Sequence, residues 1–532
     1  MNHIELFAGC GGLTLGLETA GFELLLANEL SPMASETFAY NILDIDLEKG
    51  INTDKVLWLS SNFKRQQMIQ RLRENPLLAS GLASEHSSDL TVDNLSSDDL
   101  KRSLLVGSII DLNKLMKEKN SRLLSLIKGS TDNGEIDLVS GGPPCQSFSL
   151  AGLRDASNHR NQLPWEFVKF VQQTKPKIAL LENVSGILRA FKIDGRPFYA
   201  WFEVAKAFAS VSYVPLCLQV NAKYVGVAQN RPRFILIAIR DDVFSNIITN
   251  SEDEILLDAF EPSRKLFEGV KAGKEPEYGT LPFFDADKKH PLFSTNIFSS
   301  LITHNQSNFV TVKDAIDDLR GSNMKRSQYV ALINEAFDNP HHHSPNKNYN
   351  HEKRTNSSKV RARFRLYQVL TKLKKEESTE ITKYLKSSGA SGISSSVLIS
   401  LQSHWLLNLE GKKTFFEDEL ELLALLSALF TKKQTQRALI ANAPAPAALS
   451  IPDDACHYHE AEDTQRTLTV REMARIQSFP DWYKVKSKVT TGGQMRKFEV
   501  PQYTQIGNAV PPLLALALGN VCSRLLDISE KK

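Results

Sequence analysis

The sequence predicts an α/β protein: a largely parallel sheet with helices on both faces, plus a smaller, loop-rich second domain. Three observations predict it. Apolar runs alternate with segments of helical period from residue 1 to about 240. A glycine turn, "FAGCGG", joins the first apolar run to the first helical segment. The alternation then stops after Arg240.

Each element follows from local pattern. "HIELFAG" reads as a short buried strand. "GLTLGLETAGF" reads as a helix, with Leu13, Leu17 and Ala20 at helical spacing. "ELLLANE" is a second strand ending at Glu29, and "SPMASETFAYN" a second helix opened by Ser31–Pro32. A β-α-β-α order calls for parallel strands. Residues 43–102 are an insertion, with one predicted helix in "SSNFKRQQMIQRLREN" and a solvated loop in "ASEHSSDLTVDNLSSDD". "SLLVGSI" and "EIDLVSGGPPC" resume the sheet. "PWEFVKFVQQTKP" is a helix, "KIALLENV" a strand, "YAWFEVAKAFASV" a helix, and "VPLCLQVNA" and "RFILIAIR" closing strands. Residues 241 to about 465 read as polar and loop-rich. "RTLTVREMARIQSFPD" and "YTQIGNAVPPLLALALGNV" then supply late helices. The predicted division is 1–245 for the sheet domain, 246–490 for the second domain and 491–532 for a segment returning to the first.

Composition bounds the function. The chain has 532 residues, with 64 Lys+Arg against 61 Asp+Glu, a net charge of +3. Any basic surface must therefore be local. Five cysteines lie far apart, at 10, 145, 217, 456 and 522. They form no disulfide framework and suit the reducing cytoplasm. "MNHIELFAGC" carries no signal-peptide pattern, and "VPPLLALALGNV" is too short and broken to span a bilayer, so no membrane partner is expected.

Three strand ends carry the chemistry. The glycine turn opens a helix, and Glu29 closes the next strand roughly 20 residues on, the layout of a nucleotide-type site. The turn is not G-x-G-x-x-G, so a single-adenosine cofactor fits better than a dinucleotide; a plain tight turn with a solvated Glu is the alternative. Cys145, in "GGPPCQSFSLAG", stands behind two prolines at a strand end, where open α/β sheets place their sites. Prolines stiffen the loop, and a stiff loop aims a nucleophile. Taken alone, Cys145 is as readily a buried inert cysteine, as Cys217 and Cys522 are read to be. Glu182 and Asn183 in "LLENV", and Gln229, Arg231 and Arg233 in "QNRPRF", add a carboxylate and two guanidinium groups at neighbouring strand ends. Neither "HHH" at 341–343 nor Cys456 with His457 and His459 has paired metal-ligand spacing, so no metal is expected.

These residues, in this order, resemble the DNA (cytosine-5) methyltransferases. "ELFAGCGGLTLGLETAGF" is similar to the family's cofactor loop, "ANELSPMASETFAYN" to its second motif and "DLVSGGPPCQSFSLAG" to its catalytic loop. "LLENV" is similar to its glutamate motif and "QNRPRF" to its Gln-x-Arg-x-Arg motif. "RTLTVREMARIQSFPD" resembles the motif that braces the recognition domain, and "QIGNAVPP" the last cofactor motif. One motif departs: the stretch "VGSI" has Ser108 where the family has an acid, leaving Ser108 or Asp111 to meet the adenine amino group.

The resemblance implies a Rossmann-like methyltransferase sheet using S-adenosylmethionine, with 246–490 as target recognition domain. Phe7, Gly9 and Gly11 would line the cofactor, Glu29 would take its ribose hydroxyls, and Leu163 and Asn508 would close the pocket. Cys145 would attack C6 of a flipped-out cytosine. Protonated Glu182 would hold N3 and the exocyclic amine, Arg233 would hold O2, and Arg231 would support the loop 146–159. The implied partner is double-stranded DNA, bound by a monomer. A cognate restriction endonuclease would act on the same sequence without a stable complex. A tRNA cytosine methyltransferase of the same fold is the nearest rival; a large second domain and the lack of a "CFT" motif weigh against it. An inactive DNA-binding homologue is the other, weighed against by the presence of Cys145, Glu182 and Arg233. Lys353 to Lys375, dense in Lys and Arg without an acid, is the expected phosphate contact through Arg361 and Arg363. Its pattern fits either a strand or a helix.

Overall fold

The computed structural model describes residues 1–531 apart from 51–52, 77–86, 118–120, 145–161, 194, 322–323, 340–348, 388–391, 434, 448–450 and 462–463. Nine strands form one sheet: β1 Asn2–Leu6, β2 Glu23–Glu29, β3 Val56–Trp58, β4 Ser103–Val106, β5 Leu138–Gly141, β6 Ile178–Val184, β7 Tyr213–Asn221, β8 Pro232–Arg240 and β9 Phe283–Asp285. Their spatial order is β9-β7-β8-β6-β5-β1-β2-β4-β3. Every neighbour pair is parallel except those of β8, which runs antiparallel to both β6 and β7. The central strands are buried along nearly their whole length, which is why they read as unbroken apolar runs rather than alternations.

The order of strands places the site. From β1 the chain moves one way, to β2; from β5 it moves the other way, to β6. Right-handed crossovers in opposite directions put their helices on opposite faces. The carboxyl ends of β1 and β5 therefore flank the crevice where an open α/β sheet binds its ligand. The helices between strands form as expected. Pro32–Ile42 starts at Ser31, whose Oγ accepts from the Ala34 N–H, and Leu163–Thr174 stops at Lys175 in a left-handed conformation. The apolar C-terminal run is a core helix, Pro512–Ser529, packed against the helix Gly12–Thr19. The contact is close: a Cβ at Gly16 would lie 2.4 Å from the Pro512 carbonyl oxygen.

Three expectations are corrected. The helix expected in "SSNFKRQQMIQRLREN" shrinks to a 3-10 turn, Arg65–Gln67, and one helical turn, Met68–Arg71. Arg71 is drawn inward instead: it lies over the Trp58 ring at 5.0 Å and binds Asp89 through both Nη atoms at 2.6 and 3.0 Å. Trp58 belongs to β3, so this insertion adds a strand to the sheet edge.

The residues directly after Arg240 are helical rather than loop. Helices Asp241–Asn250 and Glu254–Lys271 follow at once, and β9 joins the sheet beside β7. One hydrophobic core takes in Ile4 to Phe337 and Leu439 to Leu526, so residues 243–337 pack with the sheet. A second, smaller core runs from Ala362 to Cys456.

The third correction concerns the basic stretch. Residues Ser358–Leu370 form a helix buried from Ala362 to Val369. Arg363 donates through Nε to the Leu429 carbonyl at 3.0 Å and through Nη2 to that of Phe430 at 3.3 Å. These carbonyls end the helix Glu419–Ala428, where a cation is favoured. Arg365 stacks on Trp405 at 3.7 Å, donates to its carbonyl and pairs with Glu460 at 3.4 Å. Both guanidinium groups hold the second core together and face no solvent.

Candidate active site

The loop after β1 is built on left-handed backbone. Phe7, Gly9 and Gly11 have φ of 57°, 55° and 87°. A left-handed Phe is strained, and such strain gathers at ligand sites. The Gly9 N–H donates to Glu29 Oε2 at 2.8 Å, and the Ser31 N–H to Glu29 Oε1 at 2.7 Å. The acid at the end of β2 thus clasps the glycine loop of β1. Burial pushes the Glu29 carboxyl above the usual carboxylate range, while these N–H groups pull the other way. A Cβ at Gly9 would meet nothing closer than the Phe7 oxygen at 4.0 Å, so open space adjoins the loop. Gly11 differs: its Cβ direction points at Tyr483 Oη, 2.9 Å away, and at Phe38 and Ile42, so it serves packing beneath the loop. Phe7, Gly9, Glu29 and Leu163 are part-exposed and Asn508 is exposed, although Ala8, Cys10 and Leu13 beside them are buried.

Ser108 and Asp111 are both buried at the end of β4. The Ser108 Oγ accepts the Ile110 N–H at 3.2 Å, and Asp111 pairs with Lys114 at 3.4 Å.

The second cluster joins β5, β6 and β8. Glu182 Oε1 and Arg233 Nε are 2.6 Å apart, both side chains nearly buried. The antiparallel register sets Ile235 opposite Glu182 and Arg233 opposite Val184, which brings the two groups together at the strand end. Burial works against the Arg233 charge and Glu182 supports it. Gly142 is required here: a Cβ would sit 2.8 Å from Glu182 Oε2. Asn183 Nδ2 donates to the Pro143 carbonyl at 3.1 Å. Glu182 and Asn183 therefore hold the backbone two and three residues ahead of Cys145, which itself lies with 146–159 outside the described residues. The Asn183 contact was missed as a role, though its signal, a polar residue closing an apolar strand, is the one that marked Glu182.

Arg231 stands apart from this cluster. Its Nη2 donates to the carbonyls of Gly507 and Ala509, each at 3.0 Å. These residues flank Asn508, so the described contacts of Arg231 lead to the 507–509 segment rather than to Glu182. Burial and the Arg233 charge both pull its pKa well below the ordinary guanidinium value.

The remaining cysteines have other surroundings. Cys10, Cys217, Cys456 and Cys522 are buried thiols, and burial raises the pKa of each, to about 12 for Cys10 and Cys522. Cys456 contacts the Phe364 carbonyl at 3.7 Å, and the His457 Nδ1 accepts from the His459 N–H at 3.0 Å. The histidines 341–343 lie outside the described residues.

The C-5 cytosine-specific DNA methylase family model matches residues 1–65 and 112–524. The chain belongs to the C-5 cytosine-specific DNA methylases. It is a DNA cytosine-5 methyltransferase, and the α/β sheet described above is its catalytic fold. The unmatched residues 66–111 contain much of the insertion and the departing "VGSI" stretch. The chain is 26% identical over 526 residues to the Type II methyltransferase M.DdeI of Desulfomicrobium norvegicum, covering 97% of this chain and 87% of that one. It is 24% identical over 532 residues to the Type II methyltransferase M.XorII of Xanthomonas oryzae pv. oryzae, covering 99% and 86%. Among solved structures, the S. pombe Dnmt2 methyltransferase aligns over 99% of this chain and 98% of that chain, with 12% identity and a TM-score of 0.39.

Proposed function

We propose that this methylase modifies a cytosine flipped out of a specific duplex DNA sequence, with S-adenosylmethionine as methyl donor, as the modification enzyme of a restriction-modification system. The Type II names of the two long-matching relatives support the last point. The observation that carries the reading is the Glu182–Arg233 pair set against Gly142 and Pro143, just ahead of Cys145.

The crevice residues fit the cofactor. Glu29 spends one lone pair of each oxygen on a backbone N–H and keeps another for a ribose hydroxyl. Phe7 and Gly9 border the open side of the loop, and Leu163 and Asn508, part-exposed and exposed, would close the pocket. Bound there, S-adenosylmethionine supplies an electrophilic methyl group.

C5 of cytosine is a weak nucleophile. The Cys145 thiolate adds to C6, which gives C5 the electron density to take the methyl group. Protonated Glu182 donates to N3 and accepts from the exocyclic amine, and Arg233, held beside Glu182 through Nε, meets O2 with its outer nitrogen. Loss of the C5 proton and departure of the Cys145 sulfur restore the aromatic base. C6 is inaccessible in a stacked duplex, so the base leaves the helix at a cost of a few kcal/mol.

Duplex DNA carrying 5-fluorocytosine tests this directly, because fluorine cannot leave C5 as a proton does. The wild type is expected to form a covalent adduct and Cys145→Ser none. An equal adduct with Cys145→Ser removes Cys145 as nucleophile. Transfer of labelled methyl groups to tRNA in preference to duplex DNA favours the rival substrate.

A further inference from the structure

We propose that the hairpin after β6, with strands Phe191–Ile193 and Arg196–Phe198, grips the phosphate backbone of duplex DNA beside the target cytosine. This rests on the DNA reading above and names the surface that serves it. β6 carries Glu182 and Asn183 and ends at Val184. A 3-10 turn, Ser185–Leu188, follows, pinned by the fully buried Ile187. The hairpin thus leaves the sheet at the edge where Glu182, Arg233 and Pro143 meet.

Its two strands are three residues each, too short to be stable alone. An aromatic pair anchors them. Phe191 and Phe198 are register partners with ring centroids 5.0 Å apart, and both pack on the large core. The anchored hairpin presents Arg189, Lys192 and Arg196, all exposed. No carboxylate of the described residues forms an ion pair with them. Arg264, by contrast, pairs with Glu261 and Glu268, and Arg240 with Asp242 and Glu135. Three cations against one acid in the same stretch, Asp194, at the mouth of a site that works on flipped DNA bases, supply the positive charge that a phosphate chain attracts. The helix of the basic stretch does not compete for this role through Arg363 and Arg365, because both are buried.

The test is duplex binding by the full chain as a function of salt. Each phosphate contact contributes about 0.9 to the slope of log affinity against log salt. Replacing Arg189, Lys192 and Arg196 together by Gln is expected to lower the slope by about 2.7 and to weaken binding to all sequences alike. Cofactor affinity and melting temperature should stay at wild-type values. Lys192→Glu alone should weaken binding more than Lys192→Gln. An unchanged slope in the triple variant, with wild-type trapping of 5-fluorocytosine intact, overturns the hairpin proposal alone. A wild type that neither traps that duplex nor binds DNA with salt dependence overturns the parent reading and the hairpin with it.

Discussion

Arg231 is expected to set cofactor affinity rather than the chemical step. Its guanidinium is 2% exposed and spends Nη2 on the carbonyls of Gly507 and Ala509, each at 3.0 Å. A hydrogen bond from a charged donor contributes roughly 1.5–3 kcal/mol. Arg231→Met removes two, a gross loss of about 3–6 kcal/mol in the tether that holds the 507–509 segment. Part of that loss appears as lower stability of the whole chain. The rest appears as freedom of the segment, and a binding-competent state that is less populated weakens apparent affinity in proportion. A cofactor Kd at least tenfold higher corresponds to about 1.4 kcal/mol of that freedom. Calorimetric titration of cofactor without DNA measures it, with a thermal melt to verify folding. Arg231→Lys keeps the charge and can reach one carbonyl, so it should fall between the wild type and Arg231→Met. At saturating cofactor, kcat should change less than threefold, on the order of 0.6 kcal/mol. A folded Arg231→Met variant with unchanged Kd and a collapsed kcat refutes the tether and returns Arg231 to the catalytic cluster.

Two further outcomes are expected. Glu29→Ala should cost at least tenfold in cofactor affinity, about 1.4 kcal/mol, and a cofactor analogue lacking the ribose hydroxyls should bind the variant and the wild type with nearly equal affinity; if the wild type does not distinguish the analogue from the cofactor, Glu29 does not read the ribose. Arg365→Ala should destabilise the chain by about 1–3 kcal/mol, since it opens the Trp405 contact and leaves the Trp405 carbonyl without its donor, while Glu460 keeps Lys372. The salt slope for DNA should not move, and denaturant unfolding beside the binding titration separates these effects.

The sheet was legible because its strands are buried on both faces. "ELLLANE", "KIALLENV" and "RFILIAIR" are continuous apolar runs, and the polar residues that end them, Glu29, Glu182 and Arg233, stand out against that background. The pairing of Glu182 with Arg233 was not legible, because it depends on β8 running antiparallel beside β6. The phosphate contact expected of Arg363 failed for a different reason. Arginine carries a long apolar stem and five donors, so the same residue suits a phosphate or a set of buried carbonyls. Only the packing of Ser358–Leu370 against Trp405 and the end of Glu419–Ala428 decides between them. The helix Glu254–Lys271 was missed although Leu256, Ala259, Phe260, Ser263 and Phe267 lie on one buried face at helical spacing. Pro262 in its midst and its many charges hid that face. Arg71 shows the converse error: a helix-forming sequence gave way once Trp58 and Asp89 offered the guanidinium a better environment.

The approach to β8 explains how one short stretch can serve three parts of the molecule. Alternate residues along an extended chain share a face, and Gln229, Arg231 and Arg233 are alternate. Gln229 Nε2 donates to the Pro446 carbonyl at 3.2 Å, where Gln229 and Asn230 pair with Ala445 and Pro446 beside the large core. Arg231 reaches Gly507 and Ala509, on either side of Asn508. Arg233 reaches Glu182 at the end of β6. A slip of one residue would turn all three away at once, so the register here must be held. Asn221 holds it: its Oδ1 accepts the Arg231 N–H at 3.0 Å, and its Nδ2 donates to Asn230 Oδ1 at 2.8 Å. Pro232, opposite Asn221, has no N–H to offer a competing pairing. The spacing that marks this motif in the sequence is thus the spacing at which a single extended segment can touch the Ala445–Pro446 segment, the 507–509 segment and Glu182 in turn.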